Sequence, residues 1–116
     1  MKRKAVSRGL PPPLELACLQ VLWRLGEGTV HDVRRALSKE RVLAYTTVMT
    51  LLGRLEKRGC VRRRKPGRSY LYRPNVSRDT LREQALKQLL DGFFDGSADA
   101  LLNFLRQPRE PRAGAR

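Results

Sequence analysis

The chain has 116 residues, 41% of them hydrophobic, and carries 25 Lys+Arg against 11 Asp+Glu, a formal net charge of +14. So much positive charge opposes compaction until an anionic partner screens it, while the apolar fraction supports one modest core and argues against wholesale disorder. No run approaches the roughly 20 uninterrupted apolar residues of a membrane span, and no apolar signal core follows the basic start MKRKAVSRGLPPP, so a cytoplasmic protein without membrane insertion is expected.

Residues 1–12 read as a flexible basic arm. Pro13 suits a first helical position, and LELACLQVLWRL then repeats apolar residues at helical spacing, with Leu14, Cys18, Leu22 and Leu25 on one stripe and Leu19 and Trp23 beside it. Gly26 stops that helix. Thr29, three residues before Asp32, is a weak capping box for a short helix over 30–37 whose inner side is Val30, Val33 and Leu37.

The strongest pattern is AYTTVMTLLGRLEKRG. Val48, Leu51, Leu52 and Leu55 make the inward stripe of an amphipathic helix, and Thr46, Thr47, Thr50, Arg54, Lys57 and Arg58 occupy the opposite face. After Gly59 the period changes: CVRRRK and RSYLYR flank Pro66-Gly67, a dipeptide that favours a tight turn, and read together as a β-hairpin. Tyr70 and Tyr72 share one of its faces and are expected to pack back on the helices. The tip is too charged to bury.

Ser77 is a candidate cap for a fourth helix over 78–91, and 98–105 forms a last short one before Pro108 and Pro111 end regular structure. The expected division is therefore a basic arm at 1–12, a domain at 13–75, a helical region at 76–106 and a disordered basic tail at 107–116.

Charge follows this division. Residues 54–73 are net +8, whereas residues 74–105 are net −2. Arg62, Arg63, Arg64, Lys65 and Arg68 repel one another too strongly for a purely structural role, and phosphate is the ligand they suit. Helix–helix–helix–strand–strand with a basic hairpin describes a winged helix-turn-helix: mainly α with a small β-hairpin, the third helix buried on one side and offering short polar side chains to a major groove. Thr46, Thr47, Thr50 and Met49 suit base edges and thymine methyls.

Leu81, Ala85, Leu86, Leu89, Leu90, Phe93 and Phe94, with Leu101, Leu102, Phe104 and Leu105, are too apolar for a lone surface helix pair. They fold back on their own core or bury against a second copy. The sign change in charge favours the second, a homodimer. Cys18 and Cys60 read as small buried hydrophobes, and with His31 as the lone histidine no metal site, cofactor or catalytic centre is expected. An RNA-binding or ribosome-associated basic protein is the alternative, with an adaptor for an acidic protein behind it; RNA recognition wants aromatic platforms, and the chain has only seven aromatics.

The segments VLW, AYTTVMTLLGRLEKRG and GRSYLYRP resemble the penicillinase repressor family, the BlaI/MecI/CopY group of bacterial transcriptional regulators, over roughly residues 10–105. The resemblance implies a homodimeric winged-helix repressor at dyad operators of double-stranded DNA with TACA/TGTA-like half-sites. It places Tyr45, Thr46, Thr47, Met49, Thr50 and Arg54 on the recognition helix, Arg64 to Arg68 on the wing and 77–105 on dimerisation helices. It also implies induction by a membrane sensor protease, with Asn103-Phe104 at the scissile position. Two features depart from the family: the proline-broken ending RQPREPRAGAR replaces a further helix, and the Cys-x-Cys tail of copper-responsive members is absent.

Overall fold

Pro13 opens the first helix in the computed structural model, which describes residues 9–109. A proline at this position lacks an N–H that would have no partner there, and α1 (Pro13–Leu25) runs from it to Gly26, whose φ of 89° a side chain would strain. The Gly26 N–H donates to the Leu22 carbonyl, 2.7 Å away. The helix buries Cys18, Leu19, Val21 and Leu22 together with Glu15. Its inner arc is wider than the single expected stripe because α1 is touched from three sides, by the next two helices and by a strand. Val21 therefore joins the core, and Leu25, in the final turn beyond it, is left 49% exposed.

α2 (Val30–Leu37) starts with the full capping box. Thr29 Oγ1 accepts from the Asp32 N–H at 3.1 Å, and Asp32 Oδ2 accepts from the Thr29 N–H at 2.9 Å. α3 (Tyr45–Arg58) buries Val48, Leu51, Leu52 and Leu55 and ends at Gly59, in the left-handed region at φ 85°. Arg58, expected on the solvent face, instead turns back: its Nε donates to Glu15 Oε1 at 2.8 Å. Glu15 is 3% exposed, so the pair fastens the end of α3 to the start of α1 and neutralises a buried carboxylate.

β1 (Val61–Arg64) and β2 (Leu71–Pro74) pair antiparallel, from Val61 opposite Pro74 to Arg64 opposite Leu71. Gly28 extends the ladder, exchanging both backbone hydrogen bonds with Tyr72. The connection is a loop over residues 65–70 and not a tight turn at Pro66-Gly67. Tyr70 shows why: it leaves the ladder to lie beneath two cations, with the Arg63 guanidinium 4.0 Å and the Lys65 ammonium 5.1 Å from its ring centroid. Only Tyr72 packs on the helices, 2% exposed; Tyr70 stays 37% exposed, against expectation.

Beyond β2 the chain is strapped down. Asn75 donates through Nδ2 to the Gly59 carbonyl, Trp23 donates through Nε1 to the Val76 carbonyl, and Arg78 stands over the Trp23 ring. α4 (Arg78–Phe93) is capped by Ser77, whose Oγ accepts from the Thr80 N–H. Its Leu81 is 5% exposed within the helix–hairpin core and is thus unavailable to a second copy, a correction to its expected place in a dimer face. Leu10 also packs on this core and Pro11 is buried, so the folded unit takes in part of the expected arm; residues 1–8 of that arm lie outside the described residues.

The chain divides into two units, one ending at Arg82 and one starting at Glu83. In the second, the rest of α4 passes through Asp95 and Gly96, both at positive φ, into α5 (Ala98–Arg106), capped by Ser97. Phe94 and Phe104 meet edge to face at 5.6 Å. No residue from 83 to 109 is buried. Of the expected tail, Arg109 lies 4.8 Å over the Phe104 ring, and residues 110–116 lie outside the described residues.

Thr29→Ala removes an acceptor from the capping box and is expected to lower the unfolding free energy by about 1 kcal/mol in urea denaturation. The Thr29 backbone N–H holds the Asp32 carboxyl below its ordinary value of 3.8. That contribution is therefore present above the unfolded-state value and lost as pH falls through the lowered one. Thr29→Ala keeps that backbone donor, so the pH dependence is read on Asp32→Ala instead. Its stability deficit against wild type should narrow in acid as wild-type Asp32 is protonated, and a deficit independent of pH contradicts the assignment.

Candidate nucleic-acid interface

The buried stripe of α3 fixes which residues face outward. Tyr45, Thr46, Thr47, Met49, Thr50 and Arg54 are all exposed, Tyr45 and Met49 by 38% and 45%. The expected recognition residues thus share one open surface. Tyr45 is steadied at the start of the helix by the His31 ring, 4.7 Å away centroid to centroid. Gly53 lies on the same helix, and a Cβ built there would meet nothing within 4 Å. No packing demand among the described residues explains this glycine, which costs about 1 kcal/mol relative to alanine in mid-helix.

The hairpin stands beside α3 and is joined to it by an ion pair, Arg63 Nε to Glu56 Oε1 at 3.3 Å. Arg64 reaches the opposite way, its Nη2 lying 3.3 Å from Glu27 Oε2. Arg62, Arg63, Arg64, Lys65 and Arg68 are all exposed, so the structure groups the five expected wing cations on one projection. They are not equivalent. Arg63 and Arg64 are already engaged by carboxylates, at separations where exposed pairs contribute about 0–1 kcal/mol, weakly enough for a more highly charged partner to displace them. Glu27, Glu56 and Tyr70, which set the resting positions of these cations, carry no signal of that role in the sequence. Arg73 was missed as well: it lies in β2, exposed, directly opposite Arg62.

In the second unit, Leu86, Leu89, Phe93, Leu102, Phe104 and Leu105 are exposed, Phe93 by 79%. Ala85, Leu90, Phe94 and Leu101 are half-buried. Asn103 and Phe104 lie inside α5 with both side chains exposed.

Cys18 and Cys60 are free and buried. Burial, with the Glu15 carboxylate adding to it, pushes the Cys18 thiol up to about 11, and burial raises Cys60 too. Both are protonated near neutrality and poor nucleophiles. At about pH 8, an alkylating reagent is expected to label neither thiol in the folded chain and both once urea unfolds it. Fast labelling of Cys18 without denaturant contradicts the packing of α1. No helix among the described residues is long and apolar enough to cross a membrane.

A family model described as penicillinase repressor matches residues 12–111. The chain is 32% identical over 92 residues to the penicillinase repressor of Bacillus licheniformis, covering 78% of this chain and 72% of that protein. It is 46% identical over 69 residues to the transcriptional regulator BlaI of Mycobacterium tuberculosis, covering 59% of this chain but half of that relative's length. Among solved structures, that of Bacillus licheniformis BlaI, monomeric form in complex with the blaP half-operator, superposes with a TM-score of 0.52 at 28% identity, over 66% of this chain and 92% of that one.

Proposed function

The chain belongs to the penicillinase repressor family, and from that premise we propose that it is a DNA-binding transcriptional repressor whose α3 enters the major groove and whose hairpin lies along the sugar–phosphate backbone. One observation carries this reading: a helix buried along Val48, Leu51, Leu52 and Leu55 displays threonines, Met49 and Arg54 beside a projection of five cations. The solved relative bound to its half-operator supports duplex DNA as the ligand. The RNA alternative is not favoured: the exposed tyrosines nearest the cations are already engaged, Tyr45 by the His31 ring and Tyr70 by Arg63 and Lys65, while Tyr72 is buried.

The two surfaces divide the labour. Threonine hydroxyls and methyls and the Met49 side chain reach base edges and thymine methyls, where hydrogen-bond pattern and shape differ between base pairs. The wing cations meet phosphates, which every sequence presents alike. Arg64 exchanges Glu27 for phosphate as it docks. Two copies joined through the exposed leucines and phenylalanines of α4 and α5 present two such heads to a dyad operator with TACA/TGTA-like half-sites. Control by a membrane sensor protease acting between Asn103 and Phe104 requires this turn of α5 to unwind, because a protease cleft takes an extended strand and α5 is helical there.

Thr50→Ala should weaken binding to the operator by about 1 kcal/mol or more with little effect on random duplex, whereas Arg64→Gln should weaken both alike. Fluorescence anisotropy on the two duplexes measures this, and equal losses from both substitutions on both duplexes contradict the division. If a dimer neutralises about eight phosphates, log affinity falls against log salt with a slope near −7; a slope shallower than about −2 removes the phosphate role. Sedimentation at low micromolar concentration is expected to show a dimer, and a monomer alone overturns the pairing through α4 and α5.

A further inference from the structure

The exposed face of α3 and the five wing cations, Arg62 among them, are absorbed by that reading, but Arg73 in the second strand is not. The register of β1 and β2 sets Arg62 directly opposite Arg73. Residues so opposed project from the same face with Cβ atoms about 5 Å apart, and like charges there destabilise the ladder. Both side chains are exposed, and among the described residues neither forms an ion pair. Their neighbours are treated differently: Arg63 has Glu56 and Arg64 has Glu27. Arg62, Arg63, Arg64 and Arg73 together line one depression on the hairpin surface. Two arginines opposed in the ladder without an ion-pair partner among the described residues are a cost to the free chain, and an anion bound by both removes it. Planar N–H forks suit tetrahedral oxyanions, whose oxygens each accept from more than one donor, so two guanidiniums can share one phosphate.

We propose that Arg62 and Arg73 form a clamp for a single backbone phosphate of duplex DNA on the outward face of the wing. The inference rests on the DNA-binding reading and adds to it a contact residue, Arg73, that lies in the second strand and away from the loop. A phosphodiester has two free oxygens, which the two forks can share. Free inorganic phosphate offers the same oxygen chemistry, so the test must separate the two sources. Because the pair repels itself when empty, stability and affinity move in opposite directions on substitution. An arginine kept for structure lowers both when replaced, and one kept for solubility changes neither.

The experiment compares the full chain with Arg73→Gln, Arg62→Gln and the double variant on a random-sequence duplex, across a salt titration. Each single variant is expected to bind about fivefold more weakly at low salt, while melting no lower than wild type in the absence of DNA. A shared phosphate means that the double variant loses about 0.9 of salt slope per bound chain in total. A loss near twice that shows two separate phosphates and overturns the clamp, as does wild-type affinity and slope in Arg73→Gln. If inorganic phosphate raises the melting temperature of wild type above that of Arg73→Gln while duplex affinity is unchanged, the site belongs to the free anion and the proposal fails. A wild-type chain that binds no duplex at all sinks the functional reading and the clamp with it; one that binds duplex indifferently to both arginines sinks the clamp alone.

Discussion

Burial of one side of α3 is the constraint from which the candidate interface follows. Val48, Leu51, Leu52 and Leu55 are locked against α1, α2 and β1, which leaves the helix no freedom to roll, so Thr46, Thr47, Met49, Thr50 and Arg54 must face outward. Each fully buried aliphatic side chain contributes roughly 1.5–3 kcal/mol, more than any hydrogen bond on the exposed face. The core therefore decides the orientation, and the polar surface accepts it. The buried Glu15–Arg58 pair reinforces the same outcome from the far end: it fixes the last turn of α3 to α1 and withdraws Arg58 from the exposed surface.

The hairpin obeys a different balance, since almost nothing on it is buried except Val61 and Tyr72. Its shape is set by what its cations find near at hand. Glu56 draws Arg63 towards α3, Glu27 draws Arg64 towards the segment beside β2, and the Tyr70 ring collects Arg63 and Lys65. These are exposed contacts of modest strength, screened by salt over about 10 Å or less at physiological concentration. A wing held in this way is preset but yielding, which suits a surface that must trade local carboxylates for a phosphate backbone.

Much of this was legible in the sequence because periodicity and caps are local. The α3 stripe, the Thr29–Asp32 box, the stops at Gly26 and Gly59 and the hairpin that follows could all be read from spacing alone. The misreadings share a cause: they depend on which distant element lies opposite. Leu81 looks like a partner-facing leucine until the strap from Asn75 to Arg78 carries it into the core. Tyr70 and Tyr72 look equivalent until the ladder ends at Leu71 and one of them stacks with cations instead. Arg58 looks solvated until Glu15 is seen beside it, and Arg73 gains meaning only from the register that sets it across from Arg62. The exposed apolar residues of α4 and α5 were legible as a surface in need of cover, since none of the described residues of that unit is buried.

Whether α3 and the wing together meet the duplex is read by nuclear magnetic resonance of the chain titrated with an operator duplex, following backbone amides and arginine Nε–H groups together. Shifts should concentrate at Thr46, Thr47 and Thr50 and at the arginines of β1 and β2, while Val48, Leu52 and Leu55 hold their free-state positions apart from small neighbour effects. Shifts confined to α4 and α5, with the threonines of α3 unmoved at saturating duplex, would contradict docking through α3 and the wing.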